Sequence, residues 1–407
     1  MIERKPYMDT LRNLKDEHII KVVTGLRRSG KSTLLEMFSE EISMSTSPEA
    51  IQFLNFEDPD TFELGNWKQI YDHIKSGLVQ NSMNYIFLDE VQIVESFERL
   101  VDGLFIKKNV DLYITGSNAE LLSGELATLL TGRYIEISIL PFSYREYRTS
   151  VMENSPNLTK EDTLANFIYT GSIPLVVSLA EKDTESADEL TKGIISTIIE
   201  KDIFKRHGVN NKNAFYKVFD FLLDSIGSTI SHRSISDTLR ANDIVVDKQT
   251  VGNYLSYLTE AFVFYKASRY DVKGRHLLQT MDKYYLVDPG FRKVRLGKKS
   301  GDDRGHMLEN MVYLELLRRN RHVYIGKMRN LEIDFVAIDK QGYVSYYQVA
   351  YSVLDEKTLE RELVPLMAIK DSNAKYLLST DWDINPVYNG IRKLNVMDWL
   401  LEIPATR

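Results

Sequence analysis

Gly25-Leu26-Arg27-Arg28-Ser29-Gly30-Lys31-Ser32 places two glycines, a lysine and a hydroxyl at the spacing of a phosphate-binding loop. Each residue type has a task there. The glycines let the backbone curl so that its N–H groups point inward at phosphate oxygens, and a helix beginning near Lys31 adds its positive end. Lys31 can reach the β- and γ-phosphates, and the Ser32 hydroxyl can ligate Mg²⁺. Gly25, Arg28, Ser29, Gly30, Lys31, Ser32 and Thr33 are therefore the expected binding set for ATP and its magnesium. A second constellation, Tyr85-Ile86-Phe87-Leu88-Asp89-Glu90, is an apolar stretch running into two acids. Asp89 would hold the magnesium through its water shell, and Glu90 would polarise an attacking water. A glutamate directly after the aspartate favours hydrolysis over storage of the nucleotide. A third, Tyr113-Ile114-Thr115-Gly116-Ser117-Asn118, ends in side chains of the kind that sit beside a γ-phosphate, although a plain Gly/Ser/Asn turn satisfies the same string.

These groups need a scaffold, and the first 140 residues read as one. Ile19–Thr24 is a buried strand, and Ser32–Ile42 a helix with Leu34, Leu35, Phe38 and Ile42 on one side. Further strands fall at Ala50–Phe56, Tyr85–Leu88, Val110–Thr115 and Tyr134–Ile139. Helical patterns lie between them, around Trp67–Leu78, Phe97–Lys108 and Ala119–Leu130. Such alternation predicts an α/β fold, a parallel sheet with helices on both faces. The loop lies between a strand and a helix, the setting its chemistry requires.

The order of these motifs, with Leu130-Thr131-Gly132-Arg133-Tyr134 leading to Leu140-Pro141-Phe142-Ser143, resembles the AAA+-type ATPases. More closely it resembles the branch in which such a core is fused to a C-terminal nuclease-like domain. The resemblance covers nearly the whole chain. It implies a P-loop NTPase core with strand order 5-1-4-3-2 and Asn118 as the residue that senses γ-phosphate. It makes Arg133 a candidate arginine finger for a neighbouring subunit's nucleotide, in a homo-oligomer, with a plain surface residue as the alternative. Lys31, Glu90, Asn118 and Arg133 are then the expected catalytic set, with Ser32 and Asp89 holding metal. Arg27 and Arg28 are typical of the branch; contact with phosphate or a partner is one role, solvent exposure the plain alternative. Tyr169-Thr170-Gly171-Ser172-Ile173-Pro174 matches the family's glycine–proline signature in a helical lid.

Residues 141–207 read as helical, closing on Glu200-Lys201-Asp202 and Arg206. From Asn211 to Asp288 the pattern is three helices (Phe215–Ile226, Ser231–Asn242, Asp247–Phe262), then Phe262–Tyr270, a tip at Asp271–His276 and the strand Tyr284–Val287. That is a winged-helix plan. Val251, Leu255 and Leu258 share one face of the third helix, with Lys248, Gln249, Asn253 and Tyr254 off it. Were DNA the ligand, Lys248 would enter a groove and Lys273 and Arg275 at the tip would touch phosphate. The third helix offers little arginine to read guanine, and docking of a protein is the other use of such a module. After a basic linker, Arg292–Lys299, a helix from Gly305 to about Arg319, strands at Val323–Ile325, Glu332–Ala337 and Val344–Ala350, a helix from Leu354 to about Ile369 and a strand at Lys375–Ser379 follow the restriction-endonuclease-like arrangement. The resemblance extends to Glu309 and to Asp334 in the metal-ligand position. The next strand should then carry an acid-x-lysine pair, but Gln348 and Ala350 stand there. Glutamine is a poor magnesium ligand and alanine activates nothing. Lys327 and Lys357 are the lysines considered as replacements. The expected α/β nuclease-like domain has lost cleavage and keeps at most a binding surface, and an ATP-driven nuclease is the disfavoured reading. The expected division is 1–140 core, 141–207 lid, 208–290 winged helix and 291–407 nuclease-like domain.

Bulk properties bound these readings. The chain has 407 residues, 43% hydrophobic and 27% charged, the profile of globular protein in two or three domains. It lacks cysteine, so disulfides and cysteine-ligated metal are excluded. No apolar run suggests a membrane span and Met1 opens a charged segment, which points to a cytoplasmic protein. The net charge of -7 is uneven: residues 201–300 hold 18 Lys/Arg against 10 Asp/Glu. That segment is the expected route to DNA or to a protein partner. ATP hydrolysis coupled to these C-terminal modules is the function the residues favour; a nucleotide-gated switch with negligible turnover is the alternative.

Overall fold

The computed structural model describes residues 2–119, 132–297, 303–382 and 387–402. The helix expected around Ala119–Leu130 lies outside the described residues from position 120 onward, as do Thr131 and Lys298–Lys299. The chain divides into two compact units, residues 1–141 with 260–262 and residues 142–259 with 263–407.

In the first unit, α1 (Lys5–Leu14) precedes β1 (Ile20–Gly25), and α2 (Lys31–Ser43) follows the loop. Then come β2 (Ile51–Asn55), α3 (Trp67–Ser76), β3 (Asn84–Asp89), α4 (Phe97–Phe105), β4 (Val110–Gly116) and β5 (Tyr134–Ile139). The strands form one parallel sheet in the order β2-β3-β4-β1-β5, the order expected. β1, β3 and β4 are buried along their whole length, as central strands covered on both faces must be. One face carries Val23, Phe87, Tyr113 and Ile139 against Leu34, Leu35 and Phe38 of α2 and Leu11 of α1. The other carries Ile20, Val22, Ile86 and Leu88 against Ile70 and Ile74 of α3 and Leu100 and Leu104 of α4. Both apolar layers converge on the C-terminal ends of β1, β3 and β4, where the polar motifs begin.

The second unit starts with α5 (Tyr144–Asn154), α6 (Lys160–Thr170), α7 (Pro174–Ala180) and α8 (Thr184–Thr197), the last continuing in π-helical geometry over Ile198–Phe204. Then come α9 (Lys212–Asp224), β6 (Thr229–Ile230), α10 (His232–Arg240), α11 (Lys248–Glu260) and the hairpin β7 (Phe264–Asp271) and β8 (His276–Leu286). α12 (Gly290–Leu296), α13 (Arg304–Arg319), β9 (His322–Met328), β10 (Leu331–Ile338) and β11 (Val344–Val349) follow. The described residues end on α14 (Glu356–Ala368), β12 (Ala374–Ser379), β13 (Val387–Tyr388), β14 (Ile391–Asn395) and α15 (Val396–Leu401). One nine-stranded sheet, β13-β14-β12-β11-β10-β9-β7-β8-β6, runs through all of it. Its middle joint is β7 beside β9, parallel, with Asp271 opposite Lys327.

Two expectations need correction. Arg292–Lys299 is not a free basic linker: it opens with α12, where Arg292 is buried, donating to Leu223 O at 2.9 Å and pairing with Asp303. Lys293 pairs with Asp188 at 2.6 Å and Arg295 with Asp220 at 2.6 Å, so this basic run neutralises acids of the same unit. Tyr254 is not on the polar face of its helix. It is buried against Phe215, its hydroxyl donating to Asn211 O, because only a quarter-turn separates it from the Val251–Leu255–Leu258 stripe. Among the described residues no single helix is long and apolar enough to cross a membrane; α6 and α7 pass that test only as a pair bent by 115°.

Candidate active site

β1 delivers the loop and α2 receives it. Gly25 has φ of 143° and Gly30, at the N-cap of α2, has φ of 100°, backbone conformations that side chains oppose. At Gly25 space is also decisive: a Cβ there would stand 2.1 Å from Ile139 O on β5. The same curl puts Arg28 at φ of 67°, exposed, with Ser29 fully buried beneath it. Thr33 is exposed and Ser32 half-buried on the first turn of α2. Arg27 pairs with Glu57 at 2.6 Å, so of the two loop arginines it is the one tied to the body of the unit.

Lys31 is buried although charged. Its Nζ donates to Gly25 O at 3.2 Å and Leu26 O at 3.3 Å and lies 3.3 Å from Glu90 Oε1. Asp89 ends β3 and is buried; Thr115 Oγ1 donates to it at 2.6 Å, and the Ser32 hydroxyl also hydrogen-bonds it. Burial pushes the Asp89 carboxyl above its usual range, opposed by those two hydroxyls. Glu90 adopts φ of 53°, which turns its side chain away from the strand direction. Its N–H donates to Thr115 Oγ1 at 2.8 Å, and its Oε2 accepts from Ser117 at 2.8 Å and Gln92 at 2.5 Å. Burial alone would raise the Glu90 carboxyl; the Lys31 charge, with Gln92, Arg27 and Ser117, outweighs it and holds the group below its ordinary range. Glu90 is thus an ionised carboxylate fixed by three neighbours.

Lys31, Ser32, Asp89 and Glu90 therefore meet at one point, joined by Thr115 and Ser117 from β4 and its turn. Asn118 is buried on that turn, one residue beyond Ser117. Arg133 is not in this group. It pairs with Asp102 at 3.0 Å and leans over Phe105, at the start of β5. In the sheet Tyr134 faces Ile20 while Ile139 faces Gly25, so Arg133 lies six residues back, roughly 20 Å along the strand from its own phosphate loop.

Sequence reading missed Arg4. It is buried, and its guanidinium donates to Ser29 O (3.0 Å), Leu140 O (2.7 Å) and Pro141 O (3.3 Å), bracing the loop against the end of β5. No local motif marks it; Pro6 opening α1 is the only nearby signal.

The donor set suits magnesium. Among the described residues no three His, Asp or Glu side chains gather as a metal cage. Mg²⁺ does not ask for one, since it takes most of its oxygens from substrate phosphates and water and only one or two from protein; Ser32 and Asp89 are the side chains placed to offer them.

In the second unit the structure gathers Glu309 of α13 and Asp334 of β10 around a lysine, but neither Lys327 nor Lys357. Lys283 of β8 lies 3.1 Å from Glu309 and 3.0 Å from Glu332, and Tyr285 donates to Glu309 at 2.6 Å. Lys357 is exposed on the first turn of α14, and Lys327 stands opposite Asp271 and Glu332 in the sheet. Removal from water and the Glu309 charge push Asp334 well above the usual carboxylate range. Gln348 donates to Glu362 Oε2 at 2.9 Å and accepts from the Asp334 N–H, a structural hydrogen-bonding role. Lys248 is exposed on α11, and Lys273 and Arg275 are exposed at the β7–β8 tip.

A five-stranded parallel sheet with this loop defines a P-loop nucleotide-binding protein of AAA type. The family model of an AAA domain matches residues 17–148, and that of a domain of unknown function matches residues 161–302. An uncharacterized protein of Haemophilus influenzae is 38% identical over 99% of both chains, and the protein described here belongs to its family. An uncharacterized protein of Methanocaldococcus jannaschii is 27% identical over 86% of this chain and 79% of its own. Of solved structures, a Walker-type ATPase of Pyrococcus abyssi is 16% identical with a TM-score of 0.49, over 73% of this chain and 96% of that one.

Proposed function

We propose that the chain is a Mg²⁺-dependent ATPase whose nucleotide state is coupled to its C-terminal modules. The observation that carries this reading is the Glu90 carboxylate: ionised, held by the Ser117 hydroxyl and the Gln92 amide, and 3.3 Å from the lysine of the phosphate loop. The loop N–H groups and Lys31 would bind the triphosphate, and Ser32 and Asp89 would hold Mg²⁺, which would supply charge neutralisation at the phosphates. Phosphate oxygens compete with Glu90 for Lys31, so the base is released as the substrate seats. Glu90 then takes a proton from a water that attacks the γ-phosphorus; the bond to the β–γ bridging oxygen breaks and ADP leaves with that oxygen. Asn118 reads the γ-phosphate, and Arg133 serves a neighbouring chain's nucleotide.

The second unit is read as a winged helix (208–290) followed by a restriction-endonuclease-like domain (291–407) that does not cleave, together offering a surface to DNA. In favour stand α9, α10 and α11 running into the β7–β8 hairpin, and α13-β9-β10-β11-α14-β12 bringing Glu309 and Asp334 together. Against cleavage stand Gln348 in the acid's place and the Lys283 ammonium between Glu309 and Glu332.

Phosphate release, compared among the wild type, Glu90→Gln and Lys31→Ala, tests the ATPase. Glu90→Gln should bind ATP but release phosphate at least about 100-fold more slowly, the usual worth of a positioned base. Lys31→Ala should lose ATP binding while staying folded. Equal, slow release from wild type and Glu90→Gln would instead make the protein a nucleotide-gated switch.

A further inference from the structure

The β7–β8 tip and the β9–β10 turn stand side by side in the second sheet. Asp271 pairs with Lys327, Lys327 with Glu332 and Met328 with Leu331, and the Val272 N–H donates to Lys327 O at 3.0 Å. With the end of α14 they enclose a groove of about 660 Å³. Four cations line it: Lys273 and Arg275 from the first tip, Arg329 from the second, and Lys370 just past α14. All four are exposed, and among the described residues none makes a salt bridge. That sets them apart from Lys266, Arg269, Lys283, Arg292, Lys293 and Arg295, which are spent on acids of the same unit. The lining holds one acid, Asp371, already engaged by the Tyr346 hydroxyl at 2.7 Å and by Lys375. The floor, Val272, Met328, Leu331 and Ile369, is aliphatic.

Both tip arginines sit where the backbone would prefer glycine: Arg275 has φ of 54° and Arg329 has φ of 54°. The first tip is built by Asp271, whose carboxylate accepts from the Lys273 and Gly274 N–H groups, both at 2.9 Å. Two ordered turns thus each hold an arginine, at a conformational cost, over the same groove.

We propose that this groove binds the phosphodiester backbone of duplex nucleic acid. Four cations outside any salt bridge among the described residues line one groove and match a row of phosphates, although Lys273 also feels the Asp271 charge at its own tip. A floor without aromatic side chains gives bases no stacking platform, so a single strand has less to hold. The contacts position a duplex without reading its sequence. The inference deepens the nucleic-acid part of the proposed function and is independent of the nucleotide chemistry, so either can fail alone.

The test is fluorescence anisotropy of the full chain with a labelled duplex of arbitrary sequence and its single strand. Four phosphate contacts predict a log–log salt slope of about −3.6 for duplex, an affinity loss of about 150-fold between about 50 and 200 mM salt. Arg275→Gly/Arg329→Gly/Lys370→Ala should bring the slope near −1 and weaken binding at least about tenfold at low salt. Glycine relieves both positive-φ positions, so the melting temperature should stay equal or rise, which a merely structural role for these arginines would not produce. Duplex binding that is absent in the wild type, unchanged in the triple variant, or lost in Lys248→Ala instead overturns the proposal. So does displacement of the duplex by polyglutamate at equal charge, which would mark the groove as a site for acidic protein.

Discussion

Arg4 shows how one side chain can set the shape of a site it does not enter. Its guanidinium spans Ser29 O and the Leu140 and Pro141 carbonyls, closing the phosphate loop onto the end of β5. Hydrogen bonds from a charged donor are worth about 1.5–3 kcal/mol each, and losing one partner leaves buried carbonyls unpaired. Arg4→Met should therefore lower stability by about 3 kcal/mol in urea unfolding and weaken ATP at least about tenfold in a fluorescent-nucleotide titration. Arg4→Lys keeps the charge but cannot span both ends, so it should fall between. If ATP affinity is the same in all three, the loop holds its shape without the brace. Gly25 belongs to the same scale: the 2.1 Å approach to Ile139 O leaves no room for alanine, and Gly25→Ala should fail to assemble the loop.

At the scale of elements, the turn between α6 and α7 is tied to the turn after β8 by one carboxylate. Asp288 is buried and accepts from the Ser172 N–H and hydroxyl and the Ile173 N–H on one oxygen, and from the Gly290 N–H on the other. Gly171 has φ of 95° and a Cβ there would meet Asp288 Oδ1 at 2.3 Å, which accounts for the Gly-Ser-Ile-Pro string. Burial pushes the Asp288 carboxyl up to about 6 against those hydrogen bonds. Because the folded value exceeds the unfolded one, the folded state binds the extra proton between about pH 4 and 6, and stability falls as pH rises through that window. Asp288→Asn lacks the titration. The wild type should gain about 1 kcal/mol on it as pH drops from 7 to 5, read from paired urea unfolding curves; a constant difference would mean that Asp288 titrates normally. Lys283 makes the opposite kind of joint, a cation among acids. Lys283→Met should cost about 3–5 kcal/mol by leaving Glu309 and Glu332 unneutralised, with partial recovery in Lys283→Met/Glu309→Gln. The first sheet was legible because parallel strands buried on both faces read as apolar runs and the loop motif is local. The joint of β7 to β9 was not, since it pairs residues some fifty positions apart with no signal in either strand. Lys283 and Glu362 were hidden because they meet Glu309 and Gln348 across separate elements, 26 and 14 positions away, and a count of charges could not tell that Arg292, Lys293 and Arg295 are already paired.

At the scale of the whole molecule, the proposed hydrolysis is a matter of one chain or of several, and Arg133 is the residue that tests which. The sheet register sets it roughly 20 Å from its own loop, at the opposite end of β1 and β5, so it cannot stabilise charge on its own chain's γ-phosphate. As an arginine finger it would have to serve a nucleotide presented by another copy. Its present partner does not prevent this: the Arg133–Asp102 pair is about half exposed, and such pairs are worth under about 1 kcal/mol, so release is cheap. Turnover per chain should then climb with protein concentration and level off once assembly is complete, with Arg133→Ala slow at every concentration. Mixing makes the test sharper. Arg133→Ala has an intact pocket without a finger, and Lys31→Ala has a finger without a pocket, so a mixture of the two should release phosphate faster than either alone. The double variant Arg133→Ala/Lys31→Ala, added to Arg133→Ala, should rescue nothing. A mixture no faster than its parts, beside a wild type whose rate per chain is flat with dilution, would return Arg133 to the role of a surface residue paired with Asp102 and make each pocket self-sufficient.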